Sequence, residues 1–392
     1  MTDVVHQAEA LEAPLPGAAT PEAAPREAAS PEGTARAREA VVFDRIEAFR
    51  RRRPRLLDEV VTLAHGAGGK ASAALLDAVF LAAFAGEDPG PQTDAAVVAL
   101  PSGERLAFST DSFVVKPLRF PGGSAGHLAV HGTVNDLAMM GARPLALSAA
   151  FVLEEGFPIE ALRGIVADMA EAAAAAGVAI VTGDTKVVDH GAADGMYIST
   201  SGVGLIPEGR TLSAGRVREG DVVLVSGTIA DHGTAVMLAR GDLMLEADIV
   251  SDTAPLNELM ERLLAAAPST RWLRDATRGG VGTVCNELAR DSNLTVVLDE
   301  TALPVRPAVA AACELLGIDP LYVANEGKFV AVVAPNEEPA ALAALRGHDL
   351  GTDAVRIGEI RAEPPGIVVL LTELGGTRIV DMLVGDPLPR IC

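Results

Sequence analysis

LALSAAFV at Leu145–Val152 and MYISTSGVGLI at Met196–Ile206 are two strand-like runs, and between them Leu162, Ile165, Val166 and Met169 fall at i, i+3, i+4 and i+7. That spacing lines four apolar side chains along one face of a helix. Strand, helix and strand in succession place the chain in the α/β (α+β) class. The order restarts downstream. PEGRTLSAGRVREG, residues 207–220, is a polar, glycine-rich seam, and VVLVSG at 222–227 opens a second half. Helices are predicted there over Asp231–Arg240 and Pro255–Ala266, and Asp275-Ala276-Thr277-Arg278-Gly279-Gly280 opens another. LYVA at 321–324 and KFVAVVA at 328–334 read as strands joined by the corner Asn325-Glu326-Gly327.

Composition narrows the function. The chain has 392 residues, enough for two domains, and with 3% aromatics its core must rest on Ala, Val, Leu and Ile. A formal charge of −21 repels nucleic acid and anionic membrane alike, so neither is expected as a partner. Cys285, Cys313 and Cys392 are far apart, odd in number and without a CxxC, which fits neither a disulfide framework nor a zinc site. With no membrane-length apolar run and no basic-then-apolar leader, a reducing cytoplasm is expected. Residues 1–55 read as a disordered extension: GAATPEAAPREAASPEG at 17–33 has no hydrophobic period and buries too little to offset its ordering entropy. A short helix near Val41–Phe49 and a solvated basic run at Arg50–Arg55 complete it. Domains are expected at 56–213 and 214–381, with a flexible tail over 382–392.

Several residues carry candidate chemistry. Strand-like VVTLA at 60–64 runs into His65-Gly66-Ala67-Gly68-Gly69-Lys70 and a helix predicted over Ser72–Phe84. Gly66, Gly68 and Gly69 can bring backbone N–H groups against phosphate, or simply make a tight turn. The loop is not a Walker A motif, because Ala64 and Ala71 stand where glycine and Ser/Thr are needed. Asp94, Asp111, Asp136 and Asp184 each sit at or near the edge of an apolar run. One such carboxylate is ordinarily a cap or turn; four supply the hard oxygens that magnesium, the companion of a triphosphate, requires. Asn135 can add an oxygen, and Lys186 can neutralise a phosphate or lie on the surface. His127 and His131 share a helix face, but no HExxH and no third ligand accompany them, so they read as core or surface histidines. Glu326, at a corner between apolar runs, is a turn residue or, with its pKa raised by burial, a general base. Finally LVGDPLPRIC, residues 383–392, has two prolines that favour an extended path, and about ten extended residues reach ~33 Å. A cysteine ending such a tail can be carried to chemistry assembled elsewhere.

Taken in order, HGAGGK, STDSFVV, PGGSAGHLAVHGTVNDLAMMGARP, VTGDTKVV, LVSGTIADHG, LRDATRGGV, CELLG, ANEGK and the terminal PRIC resemble the HypE family of hydrogenase maturation proteins, carbamoyl dehydratases of the PurM-like ATP-using superfamily. The resemblance covers roughly Leu57–Cys392. It implies two α/β domains, with the N-terminal sheets completing a barrel across a homodimer and ATP with Mg²⁺ bound near that interface. It further implies that the terminal sulfur receives a carbamoyl group from the carbamoyltransferase HypF, that ATP drives its dehydration to thiocyanate, and that cyanide passes to iron on a HypC and HypD scaffold for nickel-iron hydrogenase. Cys392 would then be the covalent carrier and Glu326 the base, with Lys186 or His190 assisting. Asp94, Asp111, Asp136 and Asp184 would hold metal and nucleotide, and Arg390 would dock the tail. A PurM-like synthetase acting on a free substrate, or a nucleotide-binding scaffold without turnover, shares much of the pattern but gives the terminal cysteine no catalytic work.

Overall fold

The computed structural model describes residues 55–84, 93–241, 247–383, 385, 388 and 390–392. The expected extension, its helix near Val41–Phe49 and all of the basic run but Arg55 lie outside these residues.

Two sheets organise the described chain. The first is drawn from β1 (Ala96–Ala99), β2 (Arg105–Phe113), β5 (Arg143–Glu154), β6 (Ala179–Val188) and β7 (Met196–Ile206), in the order β1-β2-β7-β5-β6; between them β3 (Arg119–Phe120) and β4 (Gly123–Ser124) make a small ribbon. β7 alternates buried and half-buried along all 11 residues, the period-two signature of a strand with one face on a core. β5 and β6 run parallel, so their link must cross over, and the expected helix supplies it: α3 (Ile159–Ala176) buries Ile165 and Met169 and stops at Gly177, whose φ of +67° suits glycine.

Ahead of the sheet, α1 (Lys70–Leu75) continues through a π-helical stretch at Leu76–Leu81 into a last turn at Ala82–Phe84, a helix that starts two residues before the expected Ser72. VVTLA does not form a strand. Val60, Val61 and Leu63 are exposed and Leu63–Gly66 is a 3₁₀ turn; strand propensity needs a neighbouring strand to pack against, and none pairs there among the described residues.

The second sheet comprises β8 (Val222–Val225), β9 (Trp272–Asp275), β10 (Thr295–Asp299), β11 (Phe329–Val333), β12 (Val355–Arg361), β13 (Val368–Leu371) and β14 (Thr377–Val380), ordered β14-β13-β10-β12-β8-β11-β9. β8 and β11 are buried at every residue, as expected of strands covered on both faces. Helices α5 (Asn257–Ala266), α6 (Gly280–Ser292) and α8 (Glu338–Arg346) pack on it, while α4 (Asp231–Ala239) and α7 (Pro307–Leu316) bury their apolar residues in the core of the first sheet. LYVA is not a strand either: Pro320–Tyr322 is a 3₁₀ turn capped by the Asp319 carboxylate, which accepts from Leu321 N at 3.0 Å.

Helix α2 (Ala125–Met139) joins the two halves. It is buried on nearly all sides, and glycine lets its neighbours come close: a Cβ at Gly126 would lie 2.4 Å from Ile165 O of α3. Its C-terminal end, Ala138 and Met139, packs with Leu224, Leu273 and Phe329 of the second sheet. The helix therefore delivers Asn135 and Asp136 to the boundary between the sheets. A second close approach fixes the Glu326 corner, where a Cβ at Gly327 would stand 1.8 Å from Asp252 O. No described helix is long and apolar enough to cross a membrane.

Candidate functional site

Three carboxylates meet inside the protein. Asp94 precedes β1, Asp136 lies on α2 and Asp275 ends β9, and one oxygen from each falls within 4.8 Å of the others. Arg274 answers part of that charge, its Nε 2.8 Å from Asp94 Oδ1 and its Nη2 3.0 Å from Glu287 Oε2. Ser109 Oγ donates to Asp136 Oδ2. Desolvation is the largest influence on all three carboxyls. It raises Asp94 to about 6 against the pull of Arg274, and it drives Asp136 and Asp275 well above the carboxylate range, with their acidic neighbours adding to the rise. Asp275 Oδ2 has no hydrogen-bond partner among the described residues. Hard oxygens this crowded, with one left unpaired, are the donor set that a small divalent cation takes.

A second group stands beside the first. Asp111 on β2 accepts from Ser112 N at 2.7 Å and is raised by desolvation. Arg278, on the loop before α6, donates from Nε to Cys392 Sγ at 3.4 Å and from Nη1 to Gly66 O at 2.7 Å. The Glu326 carboxyl is buried and raised well above its usual value by desolvation, then by Asp275, Asp111 and Asp252, with Arg278 opposing. Burial pushes the Cys392 thiol up to about 11, although the Arg278 guanidinium pulls the other way.

The end of the tail is held at this point by main-chain bonds, with Arg390 turned into the left-handed region at φ +61°. Val114 N donates to Cys392 O at 3.2 Å and Lys116 N to Arg390 O at 3.1 Å. Arg240 Nη2 donates to Arg390 O at 2.8 Å. His232 bonds Ile391 O through Nε2 at 2.7 Å. Because a carbonyl only accepts, Nε2 carries the proton and Nδ1 takes one from Ser251 Oγ, 2.8 Å away. Desolvation lowers the His232 pKa, which keeps this ring neutral. The Arg390 guanidinium meets Asp194 and donates from Nε to Val114 O at 3.4 Å. Leu388 and Ile391 are buried in the first core, so the tail expected to be free is held down here along its described residues.

Of the residues singled out from sequence, Asp94, Asp111, Asp136, Glu326 and Cys392 gather around Arg274 and Arg278. Gly66, Gly68 and Gly69 face Arg278 and the tail: a Cβ at Gly68 would meet Arg278 O at 3.1 Å, and one at Gly69 would meet Leu383 O at 2.5 Å. Asn135 is not a free oxygen donor for nucleotide. Its Nδ2 donates to Ala254 O at 3.1 Å and Glu326 O at 3.2 Å, and its Oδ1 accepts from Leu256 N at 2.8 Å, so the amide is spent on tying the Glu326 corner to α2. Asp184, Lys186 and His190 are not brought to the Asp94 cluster within this chain. Asp184 and Lys186 lie on β6, an exposed edge strand, and pair with each other at 2.8 Å; His190 follows it, 3.4 Å from Glu154. His131 is a core histidine, bonded through Nδ1 to Thr253 Oγ1 at 3.0 Å, and burial lowers it to about 3.

Sequence reasoning missed Asp275, Arg274, Arg278, Asp194, Asp252 and His232 as site residues. DATRGG did carry a usable signal, since it leads into a helix through glycines, as the first glycine loop was read to do.

The chain is similar to known proteins over most of its length. Residues 92–206 match the AIR synthase related protein N-terminal domain and residues 218–370 its C-terminal domain. The "Carbamoyl dehydratase HypE" of Rhodobacter capsulatus is 56% identical over 341 residues, 86% of this chain and 99% of that protein. A crystal structure of a HypE–HypF complex superposes with a TM-score of 0.75 at 49% identity, covering 79% of this chain and 100% of that one. Another, of hydrogenase maturation protein HypE in complex with ATP, gives 0.71 at 46% identity, covering 85% and 100%.

The corrected role of Asn135 is testable. Asn135→Ala leaves Leu256 N buried without its acceptor and should lower the unfolding free energy by about 3 kcal/mol, read by urea denaturation. Below the new midpoint ATP affinity should be unchanged; loss of affinity without loss of stability would return Asn135 to the nucleotide.

Proposed function

Because the chain belongs to the carbamoyl dehydratase HypE family of AIR synthase related proteins, we infer that its carboxylate pocket is where a carbamoyl group on Cys392 is dehydrated. The protein is an ATP-dependent carbamoyl dehydratase of hydrogenase maturation. The observation that carries the local reading is the placement of the Cys392 sulfur against Arg278, beside Glu326 and Asp111.

The chemistry assigns work to each group. Oxide is a very poor leaving group, so the oxygen of S–C(=O)NH₂ must first become a phosphate ester, and ATP supplies the phosphoryl group. Arg278 stands 3.4 Å from the sulfur, so the carbonyl oxygen two bonds away falls within reach of a guanidinium that stabilises negative charge building there. Glu326 then takes an N–H proton as the C–O bond breaks; its raised pKa makes it the stronger base once ionised. Asp94, Asp136 and Asp275, with Asp111 beside them, fit a magnesium ion, which when bound sets positive charge against the phosphates of ATP.

Loading takes place elsewhere. A docked thiol raised to about 11 stays protonated at neutral pH, and only a thiolate attacks an acyl donor. The tail therefore undocks to receive its carbamoyl group from a HypF-type carbamoyltransferase and returns loaded, held by Arg240, His232 and the Arg390–Asp194 pair. Cyanide then passes to iron on a HypC and HypD scaffold, in the cytoplasm, where thiols stay reduced.

A homodimer accounts for residues that one chain leaves outside. The edge strand β6 exposes Val181 and Val187, and β1 at the other edge exposes Val97 and Val98. Closing these edges against a second copy into a barrel removes both liabilities, and it would turn Asp184, Lys186 and His190 toward the partner's nucleotide and carbamoyl group. On this reading domain 56–213 binds ATP, domain 214–381 supplies Arg274, Asp275, Arg278 and Glu326, and 382–392 is the carrier.

Glu326→Gln should accept the carbamoyl group on Cys392 and bind ATP, yet form nitrile about a hundred-fold more slowly, measured by quenched mass spectrometry; a normal rate removes Glu326 as the base. Magnesium must displace protons from carboxyls whose pKa is raised, Asp94 to about 6 among them, so Mg²⁺ affinity should climb as pH rises through that value. Calorimetric titrations on either side of it, giving equal affinities, would contradict the placement.

A further inference from the structure

Dehydration leaves a proton to remove. ATP and the S-carbamoyl group yield ADP, hydrogenphosphate and the S-cyano group; the carbamoyl oxygen departs on phosphate, both N–H bonds break, phosphate keeps one proton and the other must reach solvent. Glu326, which takes a proton at the C–O cleavage step, is 3% exposed and lies beside Cys392 of the docked tail. A base enclosed in this way must be emptied before it can act again.

Polar groups continue from Glu326 through Asp252. Glu326 N donates to Asp252 Oδ1 at 3.0 Å. Lys328 Nζ stands 3.6 Å from Asp252 Oδ2 and donates to Gly327 O at 3.0 Å. Helix α4 begins against the same corner, with Ala230 N bonded to Asn325 Oδ1 at 2.7 Å and Gly233 N to Ala324 O at 3.0 Å. Asp231, its first residue, accepts from Thr228 Oγ1, lies 3.7 Å from Arg306 Nε, and is near enough to Asp252 and Lys328 to feel both charges. Thr228 and Arg306 in turn line an open cavity of about 660 Å³ with Arg346 and Asp353.

One oxygen of each acid in this series, Glu326 Oε1, Asp252 Oδ2 and Asp231 Oδ1, is buried without a hydrogen-bond partner among the described residues. Native proteins satisfy nearly all such atoms, and polar gaps of this kind are where bridging waters sit. We propose that Asp252 and Asp231, bridged by water and countered by Lys328, pass the proton from Glu326 to the cavity at Thr228 and Arg306. His232, the other titratable group beside Asp252, stays neutral and holds the tail, so it takes no part. The cations at Lys328 and Arg306 keep the relay from trapping the proton: burial raises the Asp231 carboxyl, and Arg306 and Lys328 draw it back.

This inference rests on Cys392 dehydration, so nitrile formation by the full-length S-carbamoylated wild type with saturating Mg-ATP is measured first. Failure there removes the functional reading itself. With wild-type turnover in hand, Asp231→Asn should bind ATP normally and form nitrile about ten-fold or more slowly, and rising concentrations of imidazole buffer should restore the rate. Unchanged turnover, or a slow rate that no buffer restores, overturns the relay. Arg306→Gln, at a half-exposed residue on the cavity, guards against misfolding as the cause: without its guanidinium the Asp231 carboxyl rises, so the pH of half-maximal turnover should move up. An unmoved pH profile counts against the route.

Discussion

Asp94, Asp136 and Asp275 bring carboxyl oxygens within 4.8 Å of one another in the interior, and desolvation, with their acidic neighbours adding to it, drives their pKa values upward. Much of the architecture answers that crowding. Arg274 is fixed on β9 so that one guanidinium spans Asp94 and Glu287. Helix α2 is buried on nearly all sides because it must carry Asp136 to the meeting of the two sheets, and the glycine that admits α3 against it serves that end. A pocket rich in unneutralised oxygen is a poor place for stability and a good one for a magnesium nucleotide, whose charges complement it.

The tail solves a different problem. A thiol that must visit a partner and then enter a dry pocket cannot sit on a rigid element, so it ends a segment whose docking relies on main-chain bonds to Val114 and Lys116. Those bonds specify position without demanding particular side chains, while His232, Arg240 and Asp194 secure the end that carries the sulfur. Docking desolvates the sulfur and raises its pKa, so on the function proposed above the state in which Cys392 is quiet as a thiol is the one in which its loaded form would be processed.

Much of this was legible in the chain and some was not, for physical reasons. β7 has the bounds of the strand-like run read from sequence, and of the expected stripe Ile165 and Met169 are buried on α3 whereas Val166 is exposed. VVTLA and LYVA are apolar yet form no strand, each lying partly in a 3₁₀ turn; propensity cannot say whether a partner strand is present. Asp94, Asp111 and Asp136 were recognisable from their positions, whereas Asp275 is distant in sequence and only the fold brings it in. Asn135 misled through adjacency: neighbours on a helix point about 100° apart, and this amide turns to the Glu326 corner. Asp184 and Lys186 belong to an edge that a single chain leaves open.

The central claim is that the sulfur at the end of the chain is processed in this pocket with ATP. Intact-protein mass spectrometry of the S-carbamoylated wild type, before and after Mg-ATP, tests it most directly. The account predicts that the adduct on Cys392 loses the mass of one water as ADP appears. ADP formed while the carbamoyl adduct keeps its full mass, or the same loss on Cys285 or Cys313, would contradict it.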